Sequence, residues 1–246
     1  MRFIIYLISI LSLIGCEKDL TENAFVKKKT YTSTQNIINY NRLVKKSKTE
    51  FKPFKLALWS NHEGNNNLLR AHMSSVFKVD FGIHLGDFTA SAEQSEYEGY
   101  IEACKQWEPP IMTVKGELDG GELFENYFGS SSFSFEYNTC KFIVLDNTTE
   151  TQDLEWFRKE LECDDSNVYT IVLSHLVSKE TFDEEVWNNY DELIRSNNVD
   201  LVIHGYESDF IQSVDSKVLI VPPAYHQQIA ILNFTESGIQ IQHSSI

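Results

Sequence analysis

Five polar turns, each closing an apolar run, hold the residues of this chain best equipped for chemistry. They are Ser60-Asn61-His62-Glu63-Gly64-Asn65, Gly86-Asp87, Gly116-Glu117-Leu118-Asp119, Ser174-His175 and Gly205-Tyr206-Glu207-Ser208. Carboxylates and imidazoles are the side chains that bind divalent cations or move protons near neutral pH. Taken one at a time, each has a plainer reading. Asp87 and Asp119 suit turn or helix-cap positions, and His175 suits a hydrogen-bonded strand end. Glu63 and Glu117 suit solvated surface acids, while His84 and His204 sit inside apolar runs as core residues do.

The elements that would position these turns alternate in type. Residues 54–59, 80–85, 110–114, 169–174 and 199–203 read as short buried strands, and 134–137 with 141–146 as a hairpin. Apolar residues recur at helical spacing over 66–76, 93–106, 152–161 and 182–196, and the stretch 218–242 is rich in strands around a Glu236-Ser237-Gly238 turn. This order predicts a layered α/β domain, a β-sandwich flanked by helices, with the polar turns gathered along one rim.

In order and spacing the five turns resemble the motifs of the calcineurin-like metallophosphoesterases: Asp-x-His, Gly-Asp-x-x-Asp, Gly-Asn-His-Asp/Glu, a strand-terminal His, and Gly-His-x-His. The resemblance spans nearly all of residues 54–243. It implies the layered phosphoesterase fold and places Asp87 at the metal-bridging aspartate and His175 at the strand-terminal histidine. It also implies substitutions: Asn61 at an aspartate, Glu63 at a histidine, Glu117 at an asparagine, and Tyr206 and Ser208 at two histidines. A shifted register would instead make His62 the histidine and Ser60 the aspartate. Leu118 stands at the catalytic histidine and can neither donate a proton nor accept a hydrogen bond. Asp119 keeps the acidic place beside it.

By this resemblance one metal shell would comprise Asn61, Glu63, Asp87 and Ser208, weakened by a neutral amide and a hydroxyl. The other would comprise Asp87, Glu117, His175 and, more weakly, Tyr206, which suits one hard or borderline cation such as Mn²⁺ or Mg²⁺. Two functional readings stay open. One is a pseudoenzyme that binds a ligand or protein partner, with one divalent cation or none. The other is a metal-dependent phosphoester hydrolase with a rewired, single-metal centre.

The N-terminal part has a different character. A basic start, an apolar run from Phe3 to Ile14 and Leu13-Ile14-Gly15-Cys16 resemble a bacterial lipoprotein signal, with residues 1–15 removed and Cys16 lipidated. Such a protein is expected in the bacterial cell envelope, held to a membrane by its acyl chains with the domain outside the cytoplasm. Residues 16–53, polar and lysine-rich, read as the lipidated cysteine and a flexible tether, with a short helix over 37–44; residues 54–246 are the domain. Residues 54–246 hold 11 Lys and Arg against 32 Asp and Glu, a formal charge of −21. That surface repels nucleic acid and gives a phosphorylated ligand no electrostatic help. Apart from Cys16 the chain holds Cys104, Cys140 and Cys163, which allow at most one bridge and no disulfide framework.

Overall fold

The structure, a computed structural model, describes residues 34–148, 154–162, 167–176, 184–205, 211–213 and 217–245. The signal-like segment, Cys16, Cys163, Tyr206 and Ser208 lie outside the described residues. In chain order the elements are α1 (Gln35–Val44), β1 (Phe54–Trp59), α2 (Asn66–Ser75), β2 (Phe81–His84), α3 (Gln94–Lys105), β3 (Ile111–Thr113), α4 (Glu122–Phe128), β4 (Phe133–Tyr137), β5 (Cys140–Val144), α5 (Leu154–Glu162), β6 (Tyr169–Leu173), α6 (Glu184–Ser196), β7 (Leu201–His204), β8 (Ile211–Ser213), β9 (Val218–Ile220), β10 (Gln228–Thr235) and β11 (Gly238–Ser245). They form a five-stranded sheet, β11-β10-β1-β2-β3, and a six-stranded sheet, β4-β5-β6-β7-β9-β8.

Side-chain alternation along the strands explains the layering. Leu56, Leu58, Phe81 and Ile83 of the first sheet share one buried cluster with Phe135, Phe142, Ile171, Leu173 and Ile203 of the second. The residues between them, such as Ala57 and Trp59, join α2 and α3 in a second cluster on the outer face of the first sheet. Ile143, Val172 and Val202 join α5 and α6 outside the second sheet. The order helix, sheet, sheet, helix follows from period-two strands that are apolar on both faces. Phe54 stacks on Phe234 at 4.4 Å in the inner layer, where an aromatic pair contributes about 0.5–1.5 kcal/mol beyond area burial.

Helix starts follow local chemistry. The Asn65 side chain accepts from Leu68 N at the head of α2. Glu93 and Glu96 form a reciprocal capping box at the head of α3. Cys104 and Cys140 are free thiols, and burial pushes both up to about 12.

The domain begins earlier than residue 54, which corrects the expectation of a flexible tether up to residue 53. Helix α1 lies along β3, the edge of the first sheet. Asn36 Nδ2 donates to Thr113 O and Asn36 Oδ1 accepts from Thr113 N, both at 2.9 Å, as a paired strand residue would. Asn39 Nδ2 donates to Ile111 O at 2.8 Å, and Leu43 is fully buried. Farther on, Ser47, Lys48 and Lys52 bond Asn138 in the turn after β4. Residues read as solvated because they are polar are here the ones that cover a sheet edge.

Candidate functional site

The C-terminal ends of the parallel strands β1, β2, β3, β6 and β7 meet at one rim, and the turns after them carry the predicted residues. The loop after β1 pairs with the loop after β2: Asn61 N donates to Gly86 O, Glu63 N to Asp87 O and Gly64 N to Phe88 O, at 2.8–3.0 Å. To lie this way Asn61, Glu63, Gly86 and Asp87 all take the left-handed backbone region, with φ of 51°, 46°, 100° and 54°. Residues other than glycine adopt it rarely, and such positions cluster at functional sites. Gly116 is required for a different reason. A Cβ there would lie 2.1 Å from Asp87 Oδ1, so only glycine lets the loop after β3 seat against that carboxylate.

Asp87 is buried, and three groups meet its two oxygens. Leu118 N donates to Oδ1 at 2.9 Å, Asn61 Nδ2 donates to Oδ2 at 3.0 Å, and His175 Nε2 lies 3.1 Å from Oδ2. The other ring nitrogen of His175, Nδ1, sits 2.7 Å from Leu85 O. Both ring nitrogens thus face oxygen atoms. Burial works against charge on the ring, but the bond to Asp87, its negative charge and the Leu85 carbonyl outweigh it and raise the His175 pKa. Asp87 and His175 meet at 3.1 Å across the two sheets.

The other predicted residues are placed differently. Asp119, fully buried, points into the backbone: Oδ2 accepts from Asp87 N and Gly116 N, both at 2.8 Å, and Oδ1 accepts from Thr89 N and Thr89 Oγ1, both at 3.0 Å. Burial raises its pKa to about 6, with Asp87 adding to the rise and the donors opposing it. Asp119 staples the loop after β2 to the loop after β3. Leu118 meets the centre through its backbone N–H, and its side chain is exposed. Glu63 and Glu117 are exposed on the rim. Asn61 lies beside Asp87, and His62 turns inward to His84 and His72.

Asp87, the carboxylate expected to bridge two ions, is met by Leu118 N, Asn61 Nδ2 and the His175 ring, while Asn61 Oδ1 is buried without a hydrogen-bond partner. Among the described residues, no three His, Cys, Asp or Glu side chains gather to hold a metal ion.

Two features escaped the motif reading. Lys115 Nζ lies 3.1 Å from Asp146 Oδ2, both residues being buried, and this pair ties β3 of one sheet to β5 of the other beside the rim. Burial alone would raise the Asp146 carboxyl, but Lys115 and Thr148 together bring it below the usual range. Behind the rim lies a row of three buried histidines. Gly86 N donates to His84 Nδ1 at 3.2 Å, His84 Nε2 meets His62 Nδ1 at 2.9 Å, and His62 Nε2 meets His72 Nδ1 at 2.8 Å. The amide at one end makes Nδ1 the acceptor in every ring, so all three are neutral and carry hydrogen on Nε2. Burial is the main reason all three are lowered, His72 to about 4. His72 shares the inward face of α2 with Leu69 and Met73, a spacing that marks it as a core residue.

Solved structures share this architecture. Purple acid phosphatase PPD1 from yellow lupin (Lupinus luteus) seeds matches with a TM-score of 0.58 at 15% identity, over 81% of this chain and 53% of that one. GAP50, described as the anchor in the inner membrane complex of Plasmodium, matches with a TM-score of 0.57 at 13% identity, over 78% of this chain and 84% of that one. The protein TT1561 of Thermus thermophilus matches with a TM-score of 0.52 at 13% identity, over 78% of this chain and 99% of that one. The protein has the calcineurin-like metallophosphoesterase fold. No protein-family model matches the sequence, and no curated protein is significantly similar to it.

Proposed function

We propose that this protein is a membrane-tethered binding module built on a phosphoesterase fold, without ordinary phosphatase turnover. One observation carries the reading: the Asp87 carboxylate is closed by Asn61, His175 and Leu118 N–H, where metal-assisted hydrolysis needs it open to cations. Leu118 adds to it, since a leaving group would find no proton donor there. The net charge of −21 over residues 54–246 disfavours phosphorylated ligands unless a cation reverses the local field. A protein of the same fold is described as the anchor in a membrane complex, which supports a membrane-associated use of the fold by analogy. The partner is a ligand or protein outside the cytoplasm.

A second reading, a hydrolase using one Mn²⁺ or Mg²⁺, draws on Glu117 and His175 flanking Asp87. Turnover of aryl phosphate mono- and diesters separates the two. With Mn²⁺, Mg²⁺, Zn²⁺ or Ca²⁺ added, the native protein is expected to stay at background. Metal-dependent turnover that disappears in an Asp87→Asn, His175→Ala double variant would overturn the binding-module reading in favour of the hydrolase.

Membrane attachment rests on Leu13-Ile14-Gly15-Cys16, since acyl chains on Cys16 would supply the membrane affinity. The Cys16→Ser variant is expected to leave the membrane fraction or to stay unprocessed. Normal processing with unchanged membrane partitioning would show that the anchor lies elsewhere.

A further inference from the structure

We infer that the end of the domain opposite the rim is a membrane-contact face, which sets a group of lysines and Phe77 against the headgroups of an anionic bilayer and turns the rim away from it. Strand polarity decides which residues gather there. The rim lies at the C-terminal ends of the parallel strands, so the segments leading into β1, β2, β5 and β6 meet at the other end. Lys55 N donates to Asp80 Oδ2 at 2.9 Å and Asp80 N donates to Lys55 O at 2.8 Å, which sets the Phe77-Lys78 turn beside the start of β1. Asn138 N donates to Ser47 Oγ, Lys48 N donates to Asn138 Oδ1 and Asn138 Nδ2 donates to Lys52 O, at 2.8–3.2 Å. These bonds seat residues 47–52 on the turn before β5. Val168, which leads into β6, donates its N–H to Thr139 O of the same turn. The lysines are therefore laid out on a folded surface and not strung along a tether.

Charge and exposure select the partner. Between Arg42 and Lys55 six basic residues stand against one acid, Glu50, while residues 54–246 hold 11 basic residues against 32 acids. Lys78 joins the basic group from the turn before β2. The acids among the described residues nearby are engaged: Glu50 lies 3.8 Å from Lys52 Nζ and Glu108 lies 3.4 Å from Lys46 Nζ. Asp80 accepts from Lys55 N and Tyr137 Oη. Lys45, Lys48 and Lys78 are exposed. Phe77 is 78% exposed, and Val44 and Val168 are exposed at the same end. Lysines around a projecting aromatic ring match a bilayer surface, where phosphates meet the ammonium groups and the ring enters the boundary beneath them. Soluble phosphate or nucleic acid would meet the charge and leave Phe77 unused. The rim carries exposed Glu63 and Glu117, which an anionic surface repels. The proposed anchor would bring a bilayer within reach, and to that extent the inference rests on it.

Backbone hydrogen exchange of the full-length protein with vesicles of phosphatidylcholine or of phosphatidylglycerol tests this. Amides within 44–55 and 76–80 are expected to exchange about fivefold more slowly or better on phosphatidylglycerol, the factor one lysine near such a surface provides. Amides of the rim, within 61–65 and 117–121, should not change. Salt at about 1 M, where the Debye length is about 3 Å, should abolish the difference. So should the Lys45→Glu, Lys48→Glu, Lys78→Glu triple variant, and inorganic phosphate without vesicles should give no protection. The comparison of vesicles uses the unaltered protein and does not depend on how the variant folds. Equal exchange on the two kinds of vesicle would overturn the inference, as would protection at the rim in place of this end. A folded triple variant that keeps the difference, or protection by phosphate alone, would overturn it too. Exchange at this end that is equally slow in detergent would mean that the chain covers the face itself, and would also refute it. Failure to bind phosphatidylcholine vesicles tells against the proposed anchor alone, since face and rim can still be compared on phosphatidylglycerol.

Discussion

With all metal removed by chelation, His175→Ala is expected to destabilise the domain by about 3–5 kcal/mol and to lower its melting temperature by roughly 10 °C. The change strips the buried Asp87 carboxylate of its positive partner and leaves only Asn61 Nδ2 and Leu118 N facing it. A working metal centre behaves in the opposite sense when empty: acidic ligands held together without their cation repel one another, and removing one relieves strain. Asp87→Asn probes the same point, since the new amide would set an N–H against Asn61 Nδ2 or His175 Nε2. Thermal unfolding in chelator and in Mn²⁺ measures both effects. Variants as stable as the original in chelator, together with a melting temperature of the original that climbs with added Mn²⁺, would mean that the rim is built for a metal after all.

Acidification is expected to have a comparable effect through the histidine row. His62, His72, His84 and, at the end of β7, His204 all have pKa values lowered below the ordinary histidine value of 6.5, mainly by burial; His72 and His204 come to about 4. The unfolded chain takes up protons on these rings as pH falls through about 6.5, while the folded protein does not. Their contribution to stability is complete above pH 6.5 and is lost as pH falls from there toward the folded values. Each ring contributes at most about 1.4 kcal/mol per pH unit, so the row of three alone approaches 4 kcal/mol per unit. Asp119 acts in the opposite direction, because its folded pKa of about 6 lies above the unfolded value and its protonation favours the folded state as pH falls. His175, being raised, gains its proton first in the folded state and changes stability chiefly above pH 6.5. The four-to-one balance leaves a net loss on the order of 5 kcal/mol between pH 6.5 and 5, a large part of a typical domain's stability. Urea unfolding at pH 7.5, 6 and 5 reads this out. A midpoint independent of pH over that range would mean that the rings are not all neutral, and His72→Leu should flatten the slope by about a third.

Much of the fold was legible because its strands are short, apolar on both faces and closed by polar turns. The helices over 66–75, 94–105, 154–162 and 184–196 stood out through their periodicity. Strand β8 and helix α4 were missed, and helix α1 was seen only in part. Helix α4 is seven residues long, too short for a periodic pattern to declare itself. Helix α1 was half-seen because its first turn is held by Asn36, whose role as a substitute strand residue appears only when the partner edge is in view.

The candidate site divides in the same way. Spacing placed Asp87, Asn61, His175, Leu118 and Asp119 around one centre, and they do meet there. It could not show that Leu118 contributes its backbone, that Asp119 faces inward, or that Asn61 turns its N–H toward Asp87. The histidine row had one visible clue, the place of His72 beside Leu69 and Met73. A chain of imidazoles assembled from a loop, a helix and a strand leaves no spacing in the sequence.

Helix α1 also determines how the domain would bear a pull from its N-terminal end. Asn36 and Asn39, the first anchors met from that side among the described residues, hold the helix to β3 through three hydrogen bonds at 2.8–2.9 Å. A load entering at Thr34 reaches this lateral seam before any sheet ladder. The seam would give way bond by bond, and the strands behind it would be spared until α1 had peeled back as far as Leu43. The helix thus serves as a mechanical fuse, and its first product on yielding is a bare β3 edge.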